Sequence, residues 1–246
     1  MKKHARIYIG TSGWHYGHWK GPFYPEALSD GALLDYYLCF FHTVEINNTF
    51  YRMPEKEILL EWKKTAPEDF IFAVKASRYI THMKKLKECK GPVVSFLKKI
   101  ALLGDRLGPV LFQLPPHWNI NPGRLNAFLK LLSKDFRYAF EFRDTSWFST
   151  ETYDALAEHG AAFCIYDLDR NLSPKAITAD FVYIRLHGTD GPYRGKYSTK
   201  ALSGWAGAFS AWARQGREIY CYFDNDEKGY AAQDALRLQE MTNKAG

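Results

Sequence analysis

An α/β barrel of eight strand–helix units, folded as one domain over residues 1–246, is the fold class that the sequence predicts. Three observations predict it. Short apolar runs of strand length alternate with helical patterns along nearly the whole chain, which implies a parallel sheet with right-handed crossovers. Most of the strand-like runs end in a polar or charged residue, and a barrel gathers such residues at one mouth. The length of 246 residues suits a full TIM-type (β/α)8 barrel, which takes roughly 250.

The elements follow in order. A first strand over 7–10 enters the loop 11–25 (TSGWHYGHWKGPFYP), whose glycines and prolines exclude regular structure and whose aromatics must pack over one barrel end. The next strands are expected over 43–47 (TVEIN), 70–75 (FIFAVK), 110–113 (VLFQ), 138–143 (YAFEFR), 161–166, 182–187 (VYIRLH) and 219–224 (IYCYFD). Helical patterns cover 33–41, 55–65, 93–103, 124–132, 152–159, 200–214 and 231–241. The weakest unit is the sixth, where the strand runs into DLDRNLSPKAI, a stretch of little helical character. The acidic run FDNDEKG (223–229) is expected to begin the last helix, where a carboxylate suits the N-terminus.

Composition narrows the function classes. The chain is 46% hydrophobic and 16% aromatic, ample for one large core. A net charge of +6 and a pI near 9.0 favour anionic partners, although the same charge serves solubility. Cys39, Cys89, Cys164 and Cys221 are scattered without metal or redox spacing, as free thiols in a reducing compartment are. The start of the chain is too glycine-rich for a signal segment, and no apolar stretch reaches membrane-spanning length. The expectation is a cytoplasmic protein with no membrane partner.

Residues i and i+2 of a strand share a face. Glu45 with Asn47, Glu141 with Arg143, Arg185 with His187 and Tyr222 with Asp224 therefore point one way, opposite to Val44, Ile46, Phe140, Ile184 and Phe223. Adding Lys75 and Gln113 gives a polar cluster in which Glu45, Glu141 and Asp224 match Lys75, Arg143 and Arg185 in number. These charges either neutralise one another as a structural layer or are kept to bind or transform a ligand. Arg185 opens onto the glycine-rich loop 188–195, in a position where barrels often hold phosphate, with Lys75 and Arg143 as further anion contacts. Glu141 or Glu45 is the candidate proton-transfer group and His187 its partner. A pair of glutamates across a lumen also fits a carbohydrate-active hydrolase.

Glu45, Glu141, His187 and Asp224 form an oxygen-rich set suited by type to magnesium or manganese. No HxH, HExxH or cysteine cluster supplies metal-ligand spacing, so neither a metal nor a cofactor is expected. His15, His18, His42, His82, His117 and His159 read as loop or surface residues. Aromatics are dense in the mouth loops: Trp14, Trp19, Tyr51, Tyr79, Trp118, Trp147, Tyr193 and Tyr197. They either form small cores under those loops or stack on sugars or unpaired bases. With Arg78, Lys84, Lys85 and Arg194 nearby, nucleic acid is the second partner class, as a non-catalytic binding protein.

The ordered segments IGTSGWHYGHWKGPFYP, VEINNTFYRMP, FAVKASRYITH, LGPVLFQLPP, AFEFRDTSWF, YIRLHG and YFDNDEKGYAAQDALRL resemble the YecE-like family, domain of unknown function seventy-two. The resemblance runs over 7–238 and implies a TIM-type barrel without an established activity. It marks Trp14, Glu45, Asn47, Tyr51, Lys75, Gln113, Glu141, Arg143, Arg185 and His187 as shared mouth residues. Where the family commonly has Phe-Asn-Asn, this chain has Phe223, Asp224 and Asn225, which adds a negative charge. DNA-cutting zinc barrels use several histidine ligands that this chain lacks. The functional expectation is a phosphorylated or other anionic small molecule held at the C-terminal mouth, with Trp14, Asn47, Tyr51, Lys75, Gln113, Arg143, Arg185 and Asp224 as ligand contacts and Glu45, Glu141 and His187 as catalytic groups.

Overall fold

A computed structural model describes residues 5–244. Its strands are β1 (Ile7–Thr11), β2 (Thr43–Ile46), β3 (Ile71–Lys75), β4 (Leu107–Gln113), β5 (Tyr138–Glu141), β6 (Ala162–Leu168), β7 (Asn171–Leu172), β8 (Phe181–Leu186) and β9 (Glu218–Phe223). The sheet runs β1-β9-β8-β6-β5-β4-β3-β2, and Ser12, just past β1, bridges in parallel to Glu45 in β2. With β7 off this path, eight parallel strands interleaved with helices make a TIM-type (β/α)8 barrel. The helices are α1 (Leu33–Leu38), α2 (Lys56–Thr65), α3 (Lys90–Ile100), α4 (Pro122–Leu129), α5 (Thr150–Glu158), α6 (Thr199–Arg214) and α7 (Tyr230–Lys244). None of the described helices is long and apolar enough to cross a membrane.

Local chemistry explains where the boundaries differ from the pattern. Asn121 accepts a hydrogen bond from the Arg124 N–H and Pro122 takes the first helical position, so α4 begins two residues before its apolar repeat. The sixth unit has no helix. Instead β6 runs on to Leu168 and turns back through Asp169 and Arg170, both at positive φ (51° and 63°), into antiparallel pairing with β7. That is the backbone of a tight hairpin turn, made here without glycine. Lys228, at φ 54°, breaks the acidic run from α7, which starts at Tyr230.

The chain forms two compact units. The first holds Met1–Glu45, Ile165–Ser173 and Asp180–Gly246. In it β9 pairs in register with both β1 and β8, and α6 and α7 pack alongside. Val182, Ile184, Leu186, Ile219, Cys221 and Phe223 are buried, and so are Tyr183, Arg185, Tyr220 and Tyr222 between them, as in strands covered on both faces. The aromatic loop after β1 makes its own small core: Trp19 and Tyr24 are buried among Phe23, Tyr36 and Phe41.

The second unit holds Ile46–Cys164 and Pro174–Ala179. Here β3, β4 and β5 pair in parallel. Gly108 is required by close packing, since a Cβ there would sit 2.5 Å from Ile71 Cγ2. Phe112, Phe128, Phe140, Phe142, Trp147 and Phe163 form a continuous ring stack in this unit. All four cysteines are free thiols.

Candidate functional site

In the first unit Glu45 is the hub of a buried polar network. Its Oε1 accepts from Arg185 Nε at 3.1 Å and Nη2 at 2.9 Å, and from the Ser12 hydroxyl at 2.5 Å. Its Oε2 accepts from the Tyr183 hydroxyl at 2.7 Å. Burial raises the Tyr183 pKa well above the usual phenol value, and Glu45 raises it further, so this hydroxyl stays a donor. Tyr183 and Arg185 are two residues apart on β8, and the strand period alone brings both onto Glu45.

Arg185 is 1% exposed. Besides Glu45 it donates through Nη2 to Asp224 Oδ2 at 2.8 Å and to Ser12 Oγ at 3.1 Å. His187, fully buried, lies with Nδ1 3.1 Å from Asp224 Oδ2 and Nε2 3.4 Å from Arg185 Nη1. A guanidinium only donates, so Nε2 is the acceptor of the contact with Arg185. The structure thus joins Glu45, Arg185, His187 and Asp224, and adds Ser12 and Tyr183, which lie in the family-like segments IGTSGWHYGHWKGPFYP and YIRLHG but were not among the candidate site residues.

The glycine-rich loop after β8 is folded onto itself. Gly188, at φ 104°, passes so close to the Arg194 carbonyl that a Cβ would lie 2.0 Å from its oxygen, and a Cβ on Gly195 would meet the Asp190 carboxylate. The Gly188 N–H donates to the Tyr197 hydroxyl, the Tyr197 hydroxyl donates to Asp167, and the Tyr197 N–H donates to the buried Asp234 of α7. Asn225 Nδ2 donates to both Gly195 O and Asp234 Oδ2. The glycines therefore serve the loop's own closure. Beside it, burial and then the Asp224 charge raise the Asp226 pKa, while the His18 Nε2 lies 2.8 Å from the Asp226 carbonyl oxygen. Trp14 is buried, its carbonyl accepting from the Tyr24 hydroxyl at 2.5 Å.

The second unit builds a separate cluster at the ends of β3 and β5. Glu141 is fully buried and Arg143 Nε donates to its Oε1. The Cys164 thiol lies 3.9 Å from the other carboxylate oxygen, Oε2. Lys75, the last residue of β3, places Nζ 4.4 Å from the centroid of the Phe50 ring. The turn that carries Phe50 is tied down by Thr49, whose hydroxyl donates to the Lys75 carbonyl at 2.6 Å. Asn47 precedes that turn and Tyr51 follows it, the latter 81% exposed with its ring edge-on to Phe50. Gln113 is buried and donates to the Leu114 carbonyl.

His82, read from the sequence as a loop or surface residue, stands in the turn after β3 and belongs to this cluster. Its ring meets the Phe50 ring edge-on at 4.9 Å, so Phe50 carries Lys75 and His82 together. Burial, and then Lys75, Arg78 and Arg143, push the imidazole down to about 4, with Glu141 opposing. The signal available in the sequence was position: His82 closes the family-like segment FAVKASRYITH that begins in β3. Of the loop aromatics, Trp14, Trp19, Trp147 and Tyr197 are buried, while Tyr51, Tyr79 and Tyr193 are exposed. Among the described residues no three His, Cys, Asp or Glu side chains converge as metal ligands.

Comparison with known proteins agrees with this architecture. A DUF72 family protein of Thermotoga maritima superposes with a TM-score of 0.86 and 32% identity, covering 97% of this chain and 99% of that one. A DUF72 family protein of Enterococcus faecalis gives 0.84 at 22% identity, a likeness of fold. The YecE protein of Escherichia coli K12 is 32% identical over 146 residues, a match that spans 58% of this chain and half of YecE. The Bacillus subtilis YunF protein is 25% identical over 96% of this chain and 94% of its own length. The model of the protein family of unknown function DUF72 matches residues 8–246, and on that match the chain belongs to the DUF72 family.

Proposed function

We propose that this barrel binds a phosphorylated or other anionic small molecule at the Lys75, His82 and Arg143 cluster of the second unit. The observation that carries the reading is the charge around His82: three cations, Lys75, Arg78 and Arg143, against the single carboxylate Glu141. A partly buried cluster of that sign attracts anions, and the chain's net charge of +6 adds long-range attraction. Arg143 offers a planar fork and Lys75 a point charge, the usual pair of contacts to a tetrahedral oxyanion. Arg185 is assigned to the internal network with Glu45, Asp224 and His187, since a ligand would have to displace those bonds. Should turnover accompany binding, Glu141 is the proton-transfer candidate of this cluster.

The test is thermal unfolding with inorganic phosphate and with sugar phosphates. Phosphate should raise the Tm of the wild type by mass action and raise that of Lys75→Met less. Equal shifts in both proteins contradict the assignment.

A specific observation favours a second reading, a protein that binds single-stranded nucleic acid. Tyr51 and Tyr79 are exposed, Lys84 Nζ stands 5.9 Å from the Tyr79 ring, and Arg52, Arg78, Lys85, Lys87 and Lys90 are exposed around them. Exposed rings among cations are what stacking on a phosphate-linked strand requires. This reading expects oligonucleotide affinity that falls steeply with salt, without turnover. The hydrolase reading gains no comparable support, because Glu45, the second carboxylate it needs, is engaged by Arg185, Ser12 and Tyr183.

A further inference from the structure

His82 stands in the π-helical turn Tyr79–Met83 that follows β3, and such turns recur at functional sites. Its neighbour Thr81 engages Nδ1. The Thr81 hydroxyl lies 3.2 Å from the Ser77 carbonyl oxygen and 2.9 Å from His82 Nδ1, and its one proton can serve either contact. Donation to Ser77 puts the ring proton on Nδ1 and leaves Nε2 as the acceptor, the assignment adopted for the neutral ring. Among the described residues nothing hydrogen bonds to Nε2. The ring meets Phe50 edge-on, and Phe50 also carries Lys75, so the imidazole and that ammonium share one aromatic neighbour.

We infer that His82 Nε2 takes up one proton when an oxyanion docks beside Lys75 and Arg143, so that the site binds the anion and the proton together. The inference rests on the anion reading proposed above and adds to it a second role for the imidazole. Without a docked anion the ring is neutral at physiological pH, held so by burial and by Lys75, Arg78 and Arg143 against Glu141. These are the charged groups that act on it from β3, from the turn after it and from the end of β5. A docked anion offsets the potential of those three cations. The lone pair then accepts a proton from solvent hydronium, leaving water, and the new N–H donates to an oxygen of the anion. The gain is larger for a dianion than for a monoanion, so the ligand class favoured is a tetrahedral dianion of the phosphate monoester kind.

Sulfate is the suitable probe because its own charge stays fixed across the working range, whereas phosphate titrates. Calorimetric titration with sulfate at about pH 5.5 and about pH 8, in two buffers of different ionisation enthalpy, counts the protons taken up. NMR of the His82 ring in the wild type reads the same event without a mutation. The expected result is close to one proton per sulfate at the lower pH, affinity that rises by up to about tenfold per pH unit of acidification, and a shift of the Nε2 resonance on binding. His82→Gln should bind sulfate more weakly, with no proton uptake. Sulfate binding by the wild type without proton uptake, or with equal uptake in His82→Gln, overturns the inference and leaves the anion reading standing. No sulfate binding by the wild type at either pH overturns both.

Discussion

Arg185 reaches Glu45 through two nitrogens, Nε and Nη2, and both land on the same carboxylate oxygen at 3.1 and 2.9 Å. Each partner is almost wholly buried. Two charges survive there because the remaining capacity of the carboxylate is filled by Ser12 and Tyr183 and that of the guanidinium by Asp224. Glu45→Gln should therefore destabilise the fold by about 3 kcal/mol, the low end for breaking a buried pair, because Asp224 still holds the arginine. Urea denaturation at neutral pH measures it. A loss under about 1 kcal/mol would mean that the network is not structural and would return Glu45 to the list of catalytic candidates.

The Lys75 and His82 pairing on Phe50 makes a signed prediction about basicity. Lys75 is one of the charges that depress His82, and Glu141 is the one that opposes them. Lys75→Met should raise the imidazole from about 4 toward its ordinary value of 6.5, whereas Glu141→Gln should lower it further. Histidine ring chemical shifts followed through an acid titration give both values. Movement in the same direction in the two variants would break the electrostatic account of this cluster.

The same group leaves a mark on stability. In the folded chain His82 takes its proton near pH 4, in the unfolded chain near 6.5, so between these values the unfolded state holds the extra proton. Stability that is full above about pH 6.5 is therefore lost as the pH falls toward 4. The size is on the order of 1 kcal/mol, since the half-buried ring is screened by solvent. Burial raises Asp167 and Asp226, which act with the opposite sign, so the measurement must be a difference. The stability of wild type minus that of His82→Gln should decline over this window, and a flat difference would place the imidazole outside the coupling.

Period and composition made much of this legible in advance, and the remainder needed three dimensions. Strand alternation put Glu45 opposite in face to Val44 and Ile46, and Arg185 opposite to Ile184, and both sets of side chains are buried. It carried no information on which carboxylate Arg185 would choose, because Glu45 and Asp224 lie 140 and 39 residues away in sequence. The hairpin at Asp169 and Arg170 was invisible for a local reason: its positive-φ pair lacks the glycine or asparagine that announces such turns. His82 escaped because a single histidine in YITHMKK has no spacing to another ligand, and its surroundings come from Phe50, in another turn, and Lys75, at the end of β3. The aromatic loops were divided by packing, not by type, as buried Trp19 and exposed Tyr51 show.

The closure of the loop after β8 supplies the last prediction. Gly188 combines a positive φ of 104° with backbone contact to Arg194, so both conformation and space exclude a side chain. Its N–H also anchors Tyr197, whose own N–H and hydroxyl bind Asp234 and Asp167. Gly188→Ala should cost about 1–3 kcal/mol and release the segment 188–197 first, because its hydrogen bonds depend on that approach. Limited proteolysis should then cut within this loop while the wild type resists, and the Glu45 network, which shares no hydrogen bond with Gly188, should keep its stability against urea in the uncut variant. Cleavage elsewhere, or an unchanged loop, would show that the glycine is dispensable and that the cradle is open enough to be reconsidered as an anion site.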